Sequence, residues 1–229
     1  MTRWVLLAGM NCSEDLWSGC GVDDALTPPL DRESVDEQVG HLLRTLPPRF
    51  LLGGSSLGAV VATALALRAP ERVAGLLLTA TNARAPTDGQ RRGWGEWRRR
   101  LDAGVPPRVL QEEILPLLLA PSTAVARPDL VERTLAMADA VGAAVLRRQL
   151  ALQDSRQDLL GRLPTLTVPV RVVSGIHDAL CPPEFHTAIA AAVPGAELTT
   201  TSTGHLGPLE DPRAFAALLH QAGPGSTPG

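Results

Sequence analysis

No lysine occurs anywhere in this chain of 229 residues, so all 21 basic side chains are arginine. That absence removes several chemistries at once. A pyridoxal-phosphate Schiff base, a lysine-activated serine and a Walker-type phosphate loop each need a lysine, and Gly53-Gly54-Ser55-Ser56-Leu57-Gly58 is followed by Ala59 where such a loop would need one. Tyrosine is also missing, and no G-x-G-x-x-G dinucleotide fingerprint is present. Cysteine is scarce. Cys12, Cys20 and Cys181 form an odd set without C-x-x-C spacing, which argues against a disulfide framework and against a zinc knuckle and reads as ordinary reduced thiols. No apolar segment approaches the ~20 residues needed to span a bilayer. Met1-Thr2-Arg3-Trp4 runs straight into a strand pattern rather than a signal-peptide pattern, so the expected location is cytoplasmic. A net charge of −3 and an isoelectric point near 6.0 offer no basic stripe for nucleic acid. With 45% hydrophobic residues, the chain is long enough for one large globular core and gives no sign of a second folding unit.

What the sequence does contain is Gly54-Ser55-Ser56-Leu57-Gly58, a G-x-S-x-G nucleophile elbow. The apolar run Phe50-Leu51-Leu52 precedes it, and Leu57, Val60, Val61, Ala64 and Leu65 follow at helical spacing, which places Ser56 where a strand turns into a helix. Glycines flank the serine for a physical reason. The turn holds it in a strained conformation, and side chains at those positions would collide with neighbouring backbone. Counted from Ser55, the residue two places on is Leu57 rather than glycine, so Ser56 is the candidate nucleophile.

A serine hydroxyl needs a base to take its proton and a third group to orient that base. Asp178 closes the β-branched run Val170-Arg171-Val172-Val173-Ser174-Gly175-Ile176-His177, as a strand feeding a loop would. His205 lies in Thr203-Gly204-His205-Leu206-Gly207-Pro208, after the strand-like Glu197 to Thr201 and before Asp211-Pro212, a helix start. The other histidines fit the role less well. His41 and His220 fall inside helical patterns, His186 lacks a suitable context, and His177 adjoins Asp178, where adjacent residues at a strand exit point in different directions.

Strands are expected at 4–8, weakly at 24–30, and at 50–54, 73–80, 169–174 and 196–201, alternating with helices as in a mostly parallel sheet covered on both faces. Ser34 with Glu37 reads as a capping box, and Val35, Val39, Leu42, Leu43 and Leu46 share the core-facing stripe of that helix before Pro47-Pro48. Residues ~85–163 break the alternation, with several helical patterns and no strand. Leu130, Thr134, Met137 and Val141 share one helical face there. Val109, Leu110, Ile114, Leu115, Leu117 and Leu118 give another, read as interrupted at Pro116. The tail 223–229, rich in glycine and proline, is expected to be disordered.

Taken together, Gly54 to Gly58, Ile176 to Asp178 and Gly204-His205, in the chain order Ser, Asp, His, resemble the α/β-hydrolase superfamily over nearly the whole length. Within it, the chain looks most like the lidded carboxylesterases that include pimeloyl-carrier-protein methyl ester esterases and enol-lactone hydrolases. The resemblance implies an α/β-hydrolase fold with about six strands, lacking the family's first two because the chain starts directly at Trp4-Val5-Leu6-Leu7. It divides the chain into a core of 1–84 and 164–222 and a helical lid of 85–163. Leu6-Leu7-Ala8-Gly9-Met10-Asn11-Cys12 looks like the oxyanion loop, with Ala8-Gly9 where the family often has His-Gly, so the implied oxyanion donors are the backbone N–H groups of Met10 and Leu57. Ser56, Asp178 and His205 are then the expected catalytic residues, and Trp17, Leu118 and Met137 the expected substrate-binding ones. The implied activity is hydrolysis of a carboxylic ester or lactone with a small or medium apolar acyl group, needing no metal or organic cofactor. A thioesterase acting on carrier-bound acyl chains, or a lyase, cyclase or ligand-binding protein on the same fold, are the alternatives. The resemblance also offers an acidic acyl carrier protein as partner for Arg98, Arg99 and Arg100, which stand with Arg91 and Arg92 around Trp94 and Trp97. Arginine runs on a helix are more often a solvated face whose stems cover apolar neighbours, and that reading is preferred for the cluster.

Overall fold

The computed structural model describes residues 2–221; the expected tail at 223–229 lies outside them. Five strands, β1 (Trp4–Leu7), β2 (Phe50–Ser55), β3 (Val73–Thr79), β4 (Val170–Gly175) and β5 (Glu197–Thr201), form one sheet in the order β1-β2-β3-β4-β5. Every adjacent pair is parallel. Parallel neighbours require crossovers, and these are helical: α1 (Val35–Thr45), α2 (Leu57–Arg68), then α3 (Asp88–Asp102), α4 (Pro107–Leu118), α5 (Pro121–Ala126) and α6 (Pro128–Asp154) between β3 and β4, and α7 (Pro183–Ala192). The short α8 (Gly207–Glu210) and α9 (Pro212–Gln221) follow β5.

The near-continuous apolar strands reflect burial on both faces. Alternate side chains divide between two cores. Val5 and Leu7, Phe50 and Leu52, Leu76 and Leu78, and Val170 and Val172 join α1, α2 and α7 on one face. Trp4, Leu6, Leu51, Leu77 and Val173 join Leu206, Leu209, Phe215, Leu218 and Leu219 on the other. Strand β5 is an exposed edge, and its threonine-rich sequence suits one.

The segment 24–30 does not form the weakly expected sixth strand. Only Leu26 bridges to β1, through Leu6 N–H to the Leu26 carbonyl (2.8 Å) and Leu26 N–H to the Trp4 carbonyl (2.9 Å). Pro28 and Pro29, which follow it, have no N–H to extend a ladder. The loop beyond is held instead by Gln38 on α1, whose Oε1 accepts the N–H groups of Asp31 and Arg32 at 3.0 Å each. Ser34 caps α1 as expected, its hydroxyl accepting the Glu37 N–H at 3.2 Å.

Between β3 and β4 the chain is entirely helical apart from its turns, and Leu159 N–H donates to the Ala83 carbonyl (2.7 Å) where the segment leaves and returns. The segment has a small apolar cluster of its own, Leu101, Leu110, Leu146 and Leu150 with Trp94 and Trp97 packed against it. Thr87 and Gln90 form a reciprocal capping box that starts α3. Pro116 does not interrupt α4; it sits in the last turn, where the helix is about to end anyway. Helix α6 bends at Gly142, whose φ of 73° only glycine adopts readily. Among the described residues no helix is long and apolar enough to cross a membrane.

Candidate active site

Strand β2 ends at Ser55 and α2 begins at Leu57, leaving Ser56 between them at φ 53°, ψ −117°. This positive φ is costly for a residue with a side chain, and the surroundings hold it in place. Ser56 N–H donates to the Thr79 carbonyl at the end of β3 (3.0 Å), and its own carbonyl accepts from Ala59 N–H (3.0 Å) and Thr81 Oγ1 (3.3 Å). The flanking glycines permit the close approach. A Cβ on Gly54 would fall 2.6 Å from the Ala59 backbone, and one on Gly58 would fall 2.6 Å from the Leu7 carbonyl carbon and 2.7 Å from the Ala8 oxygen. Ser55, by contrast, is fully buried and its hydroxyl has no partner among the described residues.

The structure brings Ser56, Asp178 and His205 into one hydrogen-bonded chain. Ser56 Oγ lies 2.9 Å from His205 Nε2, and His205 Nδ1 lies 2.9 and 3.0 Å from the two carboxylate oxygens of Asp178. Because a carboxylate accepts, Nδ1 carries the proton and Nε2 is free to accept from the serine. Asp178 Oδ1 also accepts the N–H groups of Leu180 (3.0 Å) and Cys181 (2.8 Å), which fixes the carboxylate. Both His205 and Asp178 are buried, whereas Ser56 remains partly accessible. His177 is exposed and turned elsewhere, its N–H bonded to the Thr203 carbonyl (3.0 Å).

The loop after β1 packs against the serine: a Cβ on Gly9 would lie 3.2 Å from Ser56 Cβ. Among the described residues the N–H groups of Met10 and Leu57 have no hydrogen-bond partner. The loop turns through Asn11, at φ 58° and fully buried. Its N–H donates to Gln149 Oε1 on α6 and its Nδ2 to Gln111 Oε1 on α4, both at 2.8 Å, so the insertion itself braces the loop beside Ser56. The histidine loop is braced similarly. Glu210 accepts Gly204 N–H (2.8 Å) and, through its other oxygen, Ala120 N–H (3.1 Å), while Leu206 N–H donates to the Leu118 carbonyl (3.0 Å).

These elements surround a cleft of about 260 Å³ bounded by Ser56, His205, Met10, Trp94, Trp97 and Leu118, with Arg156 and Cys181 also on its wall. Of the expected substrate-binding residues, Leu118 lines this cleft. Trp17 and Met137 are instead buried in the core beneath the second sheet face, Trp17 edge-on to Phe215 at 6.3 Å between ring centroids. Trp94, Trp97 and Arg156 lie in the insertion, where sequence periodicity does not say which face meets the serine. His186, which lacks the context of a base in the sequence, bonds to Thr81 and Ser174 rather than to Ser56. It is fully buried, its Nε2 accepting Thr81 N–H and its Nδ1 meeting Ser174 Oγ, both at 3.0 Å, and burial pushes its pKa down to about 4.

Ligand atoms of Asp178, Cys181 and His205 lie within 4.8 Å of one another. They are poorly suited to a metal, because both histidine nitrogens are already engaged and burial pushes the Cys181 thiol up to about 12. Arg98 and Arg91 pair with Asp154, Arg99 with Glu96 and Arg100 with Glu113, so these four arginines of the cluster meet carboxylates of this chain.

Residues 16–218 match the sequence model of the alpha/beta hydrolase family. The chain belongs to this family. Among proteins of curated function no sequence match is found. Solved structures that resemble this alpha/beta hydrolase include a thermophilic esterase from Thermogutta terrifontis with malate bound, 25% identical over 96% of this chain and 89% of that one, with a TM-score of 0.80. The enol-lactonase from Burkholderia xenovorans LB400 is 20% identical over 96% and 91% of the two chains, with a TM-score of 0.83. MenH from S. aureus is 17% identical over 96% and 92%, with a TM-score of 0.82. The fold expected from the sequence, an α/β-hydrolase sheet with helices around it, is therefore the fold of this chain.

Proposed function

We propose that this alpha/beta hydrolase is a serine hydrolase that cleaves a carboxylic ester or lactone of small or medium size through an acyl-enzyme intermediate. The observation that carries the reading is the chain from Ser56 Oγ through His205 to Asp178, with both links at 2.9 Å and the serine on a strained turn. In this mechanism Nε2 of His205 takes the Ser56 proton as the oxygen attacks the carbonyl carbon, and Asp178 stabilises the imidazolium that forms. The unpartnered N–H groups of Met10 and Leu57 receive the developing oxyanion, a contribution on the order of 3 kcal/mol per donor in comparable sites. His205 returns its proton to the leaving alcohol. It then deprotonates a water molecule that attacks the acyl-enzyme, releasing the acid and restoring Ser56.

Helices α3 to α6 act in this reading as a lid whose Trp94, Trp97, Ile114 and Leu118 shape an apolar subsite. The three free, buried cysteines suit a reducing cytoplasmic compartment. Docking of an acidic carrier through Arg98, Arg99 and Arg100 draws little support from side chains already paired within the chain.

A fluorophosphonate probe followed by mapping of the adduct tests the proposal. The expected result is one adduct, on Ser56. An adduct on Ser55, or none at all, overturns it.

A further inference from the structure

Arg156 is the one arginine among the described residues that is buried, with 7% of its surface exposed, and it lies on the wall of the cleft that holds Ser56 and His205. Its guanidinium sits over the Trp94 ring at 5.8 Å from the centroid. Nη1 donates to Gln153 Oε1 (2.8 Å) and Nη2 to the Arg84 carbonyl (3.1 Å), while Nε has no partner. Both acceptors are neutral. Among the described residues no carboxylate comes within ion-pairing distance of Arg156, although Arg91, Arg98, Arg100, Arg108 and Arg133 all have one. No aspartate or glutamate lines the cleft either.

A guanidinium stays protonated in a protein, so burial leaves a full positive charge with incomplete compensation. Desolvation lowers the pKa of Arg156, with Arg91 acting in the same direction and Cys181 opposing it. Five donors on a planar fork suit a carboxylate, and the bonds to Gln153 and Arg84 hold the fork in place beside the Trp94 ring. The remaining cleft wall is apolar or neutral, with Trp97, Ile114, Leu118 and Leu180 available to a short carbon chain.

We infer that the substrate of this site carries, besides its scissile ester or lactone bond, a free carboxylate that Arg156 binds through the N–H donors of Nη1 and Nη2 left over by Gln153 and Arg84. This inference rests on the hydrolase reading of Ser56 and names the class of molecule that site takes. Arg156 is then a specificity-determining residue: it anchors the anionic end while the apolar wall and Ser56 receive the rest.

The experiment compares matched ester pairs by pH-stat with the full chain. Monoethyl glutarate is set against ethyl pentanoate and monoethyl adipate against ethyl hexanoate, for a carboxylate on the acyl side. For one on the alcohol side, 4-acetoxybutanoate is set against butyl acetate. The expected result is kcat/KM higher by about tenfold or more for the anionic member of at least one pair, mostly through KM, and a ratio falling towards unity in Arg156→Gln. Titration calorimetry of the wild type with adipate and with the neutral adipamide reads the same anchor without turnover, so a variant that fails to fold leaves the question decidable. Where esters are turned over, the inference is overturned if no anionic ester is preferred, if adipate binds no better than adipamide, or if the preference persists in Arg156→Gln. Turnover of neutral esters without anionic preference overturns this inference alone. Absence of all turnover and of fluorophosphonate labelling overturns the hydrolase reading, while the calorimetry still decides the anion site.

Discussion

His186 couples the stability of the elbow to pH. Thr81 N–H can only donate, so Nε2 of His186 must accept; Nδ1 then carries the proton and donates to Ser174 Oγ. Protonating Nε2 would set an N–H against an N–H in a fully buried site. Desolvation is the main reason its pKa falls from 6.5 to about 4, with His205 lowering it further and Asp178 and Glu184 opposing. The folded pKa is thus depressed below that of the unfolded chain, which binds more protons between the two values. Stability is full above the unfolded pKa, falls as pH drops through the window from 6.5 to about 4, and levels off below it. Linkage puts the loss from this one residue at about 2 kcal/mol between pH 7.5 and pH 5, approaching about 3 kcal/mol at still lower pH. Urea unfolding of the wild type and of His186→Gln over that range isolates the effect, because other titrating groups contribute to both proteins. The wild type should lose about 2 kcal/mol more than the variant. Parallel pH profiles would refute the assignment of a neutral, buried imidazole at this position. The consequence reaches the candidate active site, since Thr81 Oγ1 also bonds the Ser56 carbonyl.

His205→Ala and Asp178→Asn are expected to lower ester turnover by about a thousandfold or more without changing the far-ultraviolet circular dichroism, whereas His177→Ala, at an exposed position, should stay near wild type; the reverse ranking would show that another base serves Ser56. Gly58→Ala forces a Cβ to within 2.6 Å of the Leu7 carbonyl carbon and should cost stability of about 1–3 kcal/mol in urea unfolding. An unchanged midpoint would mean that the contact relaxes freely. Burial pushes the thiols of Cys12, Cys20 and Cys181 up to about 12, so the native protein should resist a disulfide exchange reagent at about pH 8 and titrate all three thiols once unfolded. Rapid reaction of the native protein would contradict that environment.

The parallel sheet and the elbow were legible in the sequence because both rest on local constraints. Apolar runs of four to seven residues bounded by polar turns read directly as buried strands. At Gly54 and Gly58 the backbone approaches so closely that only glycine fits, which leaves a pentapeptide visible without any structure. The separation of Asp178 and His205 in the chain was informative for the same reason, since each closes a strand whose end the parallel register carries to the edge where Ser56 stands. The segment 24–30 reads as a strand in the sequence but makes only one bridge, at Leu26, because Pro28 and Pro29 have no N–H to extend the ladder.

What only the tertiary structure decided is which side chains of the insertion face the cleft. A helical stripe says that residues share a face but not what that face meets, so Met137 sits in the core and Trp94 beside the serine although both lie in helical patterns. The same holds for partners distant in sequence: Asn11 with Gln149, Glu210 with Ala120, His186 with Thr81. Arg156 is the clearest case. In sequence it is one more arginine among 21, and its burial without a carboxylate is a property of the packed chain alone. Local sterics and periodicity fix elements and turns, while compensation of a buried charge depends on long-range packing that no window of sequence contains.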